Sequence, residues 1–217
     1  QVIAEEAHAS GITDFVVVTG RNKGEIVDHF DRAPELEAAL EKSGKTDLLK
    51  SVVEPVHLMD VSCIRQHQPR GLGHAVLRAR ALVGDNPFVV LLPDDLIQAE
   101  QPFLRRLIGA YNRTGKAALA LMEVPEDAVS SYGIVDGHYA EDGTFNIEDM
   151  VEKPSPAQAP TRLAVVGRYV LPPRVFDILE QTAPGSGSEI QLTDALKVLA
   201  REDGIGGVPL QGTRHDT

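Results

Sequence analysis

The stretch Phe88-Val89-Val90-Leu91-Leu92-Pro93-Asp94-Asp95 decides the fold class. Five apolar residues in a row make the most apolar strand of the chain, of the kind that a parallel sheet buries on both faces. Pro93 stops it, and two carboxylates follow at once. Ligands of open α/β sheets sit outside the carboxyl ends of such strands. A carboxylate there can hold Mg²⁺ while substrate phosphates supply other oxygens, although aspartates equally serve turns. Asp94 leaves the strand first and is expected to point into the crevice. It is the better ligand, and Asp95 is expected to matter less.

Working outward, helical and strand patterns alternate on both sides. Upstream, residues 72–83 read as one helix with Ala75, Val76, Ala79 and Leu82 on a shared face. Residues 61–66 read as a strand, as does the β-branched run 14–18, ended by Thr19-Gly20-Arg21-Asn22. Short helices are expected around 25–30 and from Pro34 to about 43. Downstream, 102–112 is a helix pattern and 117–124 a strand. This alternation predicts an α/β fold with a doubly wound, mostly parallel sheet.

The second half changes character. Residues 132–135 and 145–151 flank the turn residues Glu141-Asp142-Gly143, which predicts a hairpin. A strand follows at 163–171, then a helix from Pro172-Pro173. Ser188-Glu189-Ile190-Gln191 has the form of a capping box, with Ser188 as N-cap of a helix running to about 201. One domain over 1–217 is expected, with a nucleotide-binding half (1–125) and a hairpin-rich sugar-phosphate half (126–217).

Composition narrows the partners. The 217 residues are 42% hydrophobic and 24% charged, ordinary for a globular protein, and no apolar run approaches a membrane span. Twenty-one Lys and Arg against 32 Asp and Glu leave a net charge of −11, which argues against nucleic acid and anionic lipid. A phosphorylated small molecule is still compatible, because a few local cations, backbone N–H groups or a metal suffice. The single cysteine, Cys63, lies in an apolar strand and cannot form an internal disulfide, so cytoplasm is the simplest location. The chain starts at Gln1 inside a helical pattern and stops just after His215-Asp216, so both ends read as cut.

Three further segments have chemical potential. Gln66-His67-Gln68-Pro69-Arg70-Gly71-Leu72-Gly73-His74 runs from a strand end into a helix start. Glycines there let backbone approach a flat ligand, and the Gln66 amide can pair a base edge, yet two glycines also simply make a tight turn. In Val151-Glu152-Lys153-Pro154 the carboxylate suits sugar hydroxyls and the ammonium a phosphate, or the two form a solvated charge pair. Gly212-Thr213-Arg214-His215-Asp216-Thr217 offers Asp216 as a second metal ligand, or an ordinary loop. No zinc pattern or Ser-His-Asp arrangement stands out.

The order of these pieces is more informative than any one of them. Arg65-Gln66, Gly71-Leu72-Gly73-His74-Ala75, Leu92-Pro93-Asp94-Asp95, Tyr132-Gly133-Ile134, Val151-Glu152-Lys153-Pro154, Ala164-Val165-Val166-Gly167-Arg168-Tyr169, Glu189-Ile190-Gln191-Leu192-Thr193-Asp194 and His215-Asp216-Thr217 together closely resemble the bacterial UTP–glucose-1-phosphate uridylyltransferases. The resemblance covers essentially the whole chain. It implies that Gln66 and Gly71 contact uracil, that Asp94 binds Mg²⁺, and that Gly133, Glu152, Lys153 and Gly167 line the glucose-1-phosphate site. Asp94 and Lys153 would be the catalytic pair, with Asp216 a second metal ligand. It implies UTP and glucose-1-phosphate as substrates, UDP-glucose and pyrophosphate as products, and a homo-oligomer. The family's glycine-rich loop with Gly-Thr-Arg, and its Pro-Lys-Glu-Met segment, are not in this sequence, so the 217 residues by themselves are not expected to turn over. A related thymidylyl- or adenylyltransferase is the nearest alternative, and a non-catalytic sugar-nucleotide-binding regulatory domain the more distant one.

Overall fold

The computed structural model describes residues 1–141 and 143–216. Asp142 of the expected turn and Thr217 of the last motif lie outside the described residues, as does the side chain of Ser186. Two compact units are present, Gln1–Gln68 and Pro69–Thr217.

The first unit comprises α1 (Val2–Ala9), β1 (Asp14–Thr19), α2 (Gly24–Asp28), α3 (Pro34–Lys42), α4 (Thr46–Val53) and β2 (Asp60–Arg65). Strands β1 and β2 pair in parallel from Asp14↔Asp60 to Thr19↔Arg65. A parallel pair needs a long crossover, and α2, α3 and α4 supply it. Pro34 starts α3, as its fixed φ favours. Cys63 lies in β2 as expected, but is exposed.

The second unit holds α5 (Leu72–Arg78), α6 (Arg80–Val83), β3 (Phe88–Leu91), β4 (Asp95–Gln98), α7 (Phe103–Thr114), β5 (Ala117–Glu123), β6 (Gly133–Tyr139), β7 (Phe145–Glu152), β8 (Leu163–Leu171), α8 (Arg174–Gln181), α9 (Leu192–Glu202), β9 (Ile205–Pro209) and β10 (Thr213–Asp216). Six strands form one sheet in the order β3-β8-β5-β9-β7-β6, with an added contact between β8 and β6. A separate antiparallel ladder joins β10 to β4.

The side-chain alternation of β5 shows how the sheet is covered. Ala117, Leu119 and Leu121 join the main core with Val76, Val175, Phe176, Leu179, Leu196 and Leu199 of α5, α8 and α9. Ala118 and Ala120 point the other way by the two-residue period of a strand, and α7 packs on β5 with Phe103, Leu104, Leu107 and Ala110 buried. Small alanines on that face let the helix approach closely. Gly115, left-handed at φ +68°, closes α7.

The α/β class agrees with the sequence, and the 132–151 hairpin forms as β6 and β7. The pairing differs in detail. Within the second unit β5–β9 is parallel, whereas β3–β8, β5–β8, β6–β7, β7–β9 and β4–β10 are antiparallel. The alternating pattern could not reveal this, because it constrains burial and not neighbour direction. β3 is half-buried along its length, and the deeply buried run is instead Ala117–Leu121 of β5. Residues 72–83 break into α5 and α6 at Ala79, and Leu82, expected on the packed face, is 50% exposed. The Ser188 capping box does not form. Ser188 has φ +60° in a short 3-10 turn, and α9 begins after an extended Gln191 with no side-chain cap. Its reason is tertiary: backbone around Ile190 is engaged by residues 70–73, which delays the helix.

Candidate active site

The turn after β3 separates its two aspartates. Asp94 is exposed, whereas Asp95 turns inward and is 4% exposed. One Asp95 carboxylate oxygen accepts from the Gly167 N–H at 2.6 Å, and the other pairs with Arg214 Nε. A Cβ on Gly167 would lie 2.5 Å from Asp95 Oδ2 and 2.7 Å from Leu92 Cβ. Glycine at 167 is therefore required by protein packing. The neighbouring Arg168 is fully buried and donates from Nη1 to the carbonyls of Gly167 (2.9 Å) and Leu92 (3.4 Å), which ties β8 to the start of the turn.

Arg214 gathers the far side. Its Nη1 donates to Tyr132 Oη at 2.9 Å and its Nη2 to Asp216 Oδ2 at 3.1 Å, while Nε meets Asp95. The guanidinium also lies 5.2 Å from the Tyr132 ring centroid, within cation–π range. The β4–β10 register sets Asp216 opposite Asp95, beside Asp94 in the chain. The Asp216 side chain is 64% exposed.

The hairpin base is built next to Tyr132. Gly133 pairs with Glu152 across β6 and β7, and Glu152 Oε2 accepts from Thr193 Oγ1 at 2.6 Å. A Cβ at Gly133 would meet Glu152 Oε2 at 3.4 Å and Thr193 Oγ1 at 3.5 Å, so glycine keeps this carboxylate approachable. Lys153 has φ +45°, a left-handed conformation that costs a non-glycine residue about 1–2 kcal/mol. Its N–H donates to Tyr132 O at 2.9 Å, Pro154 behind it is buried, and the lysine itself is exposed. Strain of this kind concentrates at functional positions.

Tyr169 reports how these carboxylates converge. Burial, followed by the negative fields of Asp95, Glu152 and Asp94, pushes its phenol well above the ordinary tyrosine value.

Gly71 stands at the N-cap of α5 with φ +91°. A Cβ there would be 2.7 Å from Ile190 O and 2.9 Å from Glu189 Cβ. Ile190 N donates to Arg70 O (2.7 Å), and Gly73 N donates back to Ile190 O (2.9 Å). The glycine loop and the segment 189–193 thus lock together through backbone, and Thr193 of that segment holds Glu152. Gln66 belongs to the first unit, where it follows β2 and donates its N–H to Thr19 O at 2.8 Å.

The second unit therefore brings Asp94, Gly167 and Asp216 around the Asp95–Arg214 pair, and Gly133, Glu152 and Lys153 around the hairpin base. Among the described residues, no group of three or more His, Cys, Asp or Glu could hold a metal. Two exposed carboxylates on a turn and its facing strand still fit Mg²⁺, which commonly takes one or two protein carboxylates and completes its shell with water and phosphate oxygens.

A model of the nucleotidyl transferase family matches residues 1–207. The chain belongs to that family. Over its whole length it is similar to the UTP--glucose-1-phosphate uridylyltransferase of Streptococcus pneumoniae serotype 4, with 48% identity covering 74% of that protein. Among solved structures it resembles a UDP-glucose pyrophosphorylase complexed with UDP-glucose, at TM-score 0.88 and 40% identity, covering 98% of this chain and 78% of the other. A UTP-bound UGPase from Acinetobacter baumannii gives TM-score 0.88 and 39% identity, with 99% and 76% covered. At these identities the chain sits among the UTP–glucose-1-phosphate uridylyltransferases, as its motifs implied.

Sequence reasoning missed several residues of this nucleotidyl transferase that organise the site. Thr193 stood inside a quoted motif without a role, and Tyr132 and Arg214 likewise. A usable signal existed for Arg214: it is two residues from Asp216 in a strand, hence on the same face. Asp95, expected to be the lesser metal ligand, is the buried one of the two and is bonded to Gly167 N–H and Arg214.

Proposed function

We propose that the protein forms UDP-glucose and pyrophosphate from UTP and glucose-1-phosphate. The observation that carries this is identity of 45–48% over the whole chain with relatives named for that activity. Residues 1–125 would serve the nucleotide and 126–217 the sugar phosphate. Gln66 and Gly71 would face the uracil, and Gly133, Glu152, Lys153 and Gly167 the glucose-1-phosphate.

A phosphate oxygen of glucose-1-phosphate attacks the α-phosphorus of UTP in line. The new P–O bond joins sugar phosphate to uridylate, and the bond to the β-phosphate oxygen breaks to release pyrophosphate. Such chemistry depends on positioning and charge neutralisation more than on a covalent nucleophile. Glu152, held by Thr193, accepts from sugar hydroxyls and fixes the ring. Lys153, aimed by its left-handed backbone, meets the attacking phosphate. Mg²⁺ held by Asp94 and Asp216 would neutralise the charge that accumulates on the reacting phosphates. A cytoplasmic location and a homo-oligomer complete the reading, and no helix among the described residues is long and apolar enough to cross a membrane.

Protein expressed from the complete gene, given UTP and glucose-1-phosphate with Mg²⁺, should yield UDP-glucose on anion-exchange chromatography. Preference for dTTP or ATP in a nucleotide competition would move the assignment to a sister activity.

A further inference from the structure

Arg214 bonds to Asp95, Tyr132 and Asp216 without being exposed enough to be a simple surface cation. Its side chain is 11% exposed. The three edges of the guanidinium are taken by three elements: Nε by Asp95 at the β3–β4 turn, Nη1 by Tyr132 at the hairpin base, and Nη2 by Asp216 on its own strand. Each partner is itself anchored. Asp95 is fixed by the Gly167 N–H, and Tyr132 accepts through its carbonyl from Lys153 N–H. A planar fork can satisfy three directions at once only in one orientation. The guanidinium therefore sets the position of the Asp216 carboxylate, in the β4–β10 ladder, relative to the strained Lys153 backbone, which directly follows β7 of the six-stranded sheet.

We propose that Arg214 is a positioning residue that registers the metal-side carboxylate Asp216 against the sugar-phosphate end of the hairpin. Through Asp95 and Tyr132, one largely enclosed side chain ties the two halves of the chemistry together. This rests on the reading of Asp216 as a metal ligand and Lys153 as a phosphate ligand.

Lysine at 214 keeps the charge and loses the fork, so it can serve one of the three partners at a time. In R214K, Mn²⁺ affinity of the UDP-glucose-bound protein, titrated by electron paramagnetic resonance, should fall by about tenfold, the lower end of what loss of an orienting partner costs a metal site. KM for glucose-1-phosphate should rise together with a fall in kcat, while KM for UTP stays near the parent value. Y132F removes one of the three bonds and leaves the other two. It should raise KM for glucose-1-phosphate with little change in Mn²⁺ affinity. D216N serves as the reference for the underlying reading. Weakened Mn²⁺ in D216N with parent-like Mn²⁺ affinity and KM values in R214K overturns the inference alone, even if R214K melts earlier, because the role is then purely structural. Parent-like Mn²⁺ affinity in D216N overturns the metal reading itself, and the inference with it.

Discussion

Replacing Asp95 with Asn tests whether the two adjacent aspartates divide structure from chemistry. The substitution keeps the volume and removes one negative charge and one acceptor. Asn has a single carbonyl oxygen, so it can accept from Gly167 N–H or from Arg214, but not offer a full carboxylate to both. Its amide N–H₂ would then face a donor. Removing one member of a buried ion pair costs about 3–5 kcal/mol, because the other charge stays behind unpaired. Arg214 retains slight exposure and keeps Asp216 as a second carboxylate, which puts the loss at the lower end, about 3 kcal/mol. At about 2–4 °C per kcal/mol for a protein of this size, the melting temperature should drop by about 6–12 °C. Asp94→Asn, at an exposed turn position, should leave the melting temperature unchanged and lower kcat by about 10²-fold or more, the scale of losing one electrostatic stabiliser. Thermal unfolding followed by circular dichroism, paired with initial rates at 25 °C, reads both. If Asp95→Asn melts within ~2 °C of the parent, or Asp94→Asn is the less stable of the two, the division of labour argued here is wrong.

Three further substitutions separate the two substrates. Gln66→Ala should raise KM for UTP, each lost hydrogen bond costing about 0.5–1.5 kcal/mol, while Lys153→Ala should weaken glucose-1-phosphate and slow kcat; substrate-by-substrate titration that finds Lys153→Ala normal in both would return Glu152-Lys153 to a solvated charge pair. Thr193→Val, isosteric at its branch point, removes the hydroxyl that holds Glu152 and should raise KM for glucose-1-phosphate by about tenfold or more, the scale of one hydrogen bond to a charged group, with a KM for UTP like the parent; equal damage to both substrates would instead indicate that the 189–193 segment had moved.

The α/β class, most element positions and the end of β3 before Asp94 were legible because they rest on local signals. An apolar run and a proline stop occupy fewer than about ten residues, and a hairpin pattern about twenty consecutive ones. What escaped the sequence joins distant positions. The Asp95–Arg214 pair spans 119 residues, the Arg214–Tyr132 bond 82 and the Glu152–Thr193 bond 41. No periodicity encodes such partners. The Ser188 capping box failed for the same reason: its local pattern was sound, and backbone bonds from 70–73 to Ile190 outweighed it. The glycines are instructive in another way. Glycine at 71 was read as letting backbone approach a flat ligand and Gly167 as lining the glucose-1-phosphate site, and the crowding found at both comes from Ile190 O and Asp95, parts of the protein itself.

That crowding bears on how an acidic chain could accommodate two polyanions. Asp94, Asp95 and Glu152 converge closely enough to act on the buried Tyr169, and Asp216 lies across from Asp95. A triphosphate and a sugar phosphate brought to such a place meet repulsion unless cations intervene. Arg214 has its three edges committed to protein partners, so its charge serves chiefly to offset Asp95 and Asp216. Lys153 is exposed at the hairpin base, but a single ammonium cannot balance the charge of both substrates. The family's Gly-Thr-Arg loop and Pro-Lys-Glu-Met segment, outside these 217 residues, would supply part of the compensation, and under the proposed function Asp94 and Asp216, exposed on a turn and its facing strand, would hold a hard divalent cation that brings the rest. Under the proposed function, the acidity of the site would favour a metal-bound nucleotide over the bare anion.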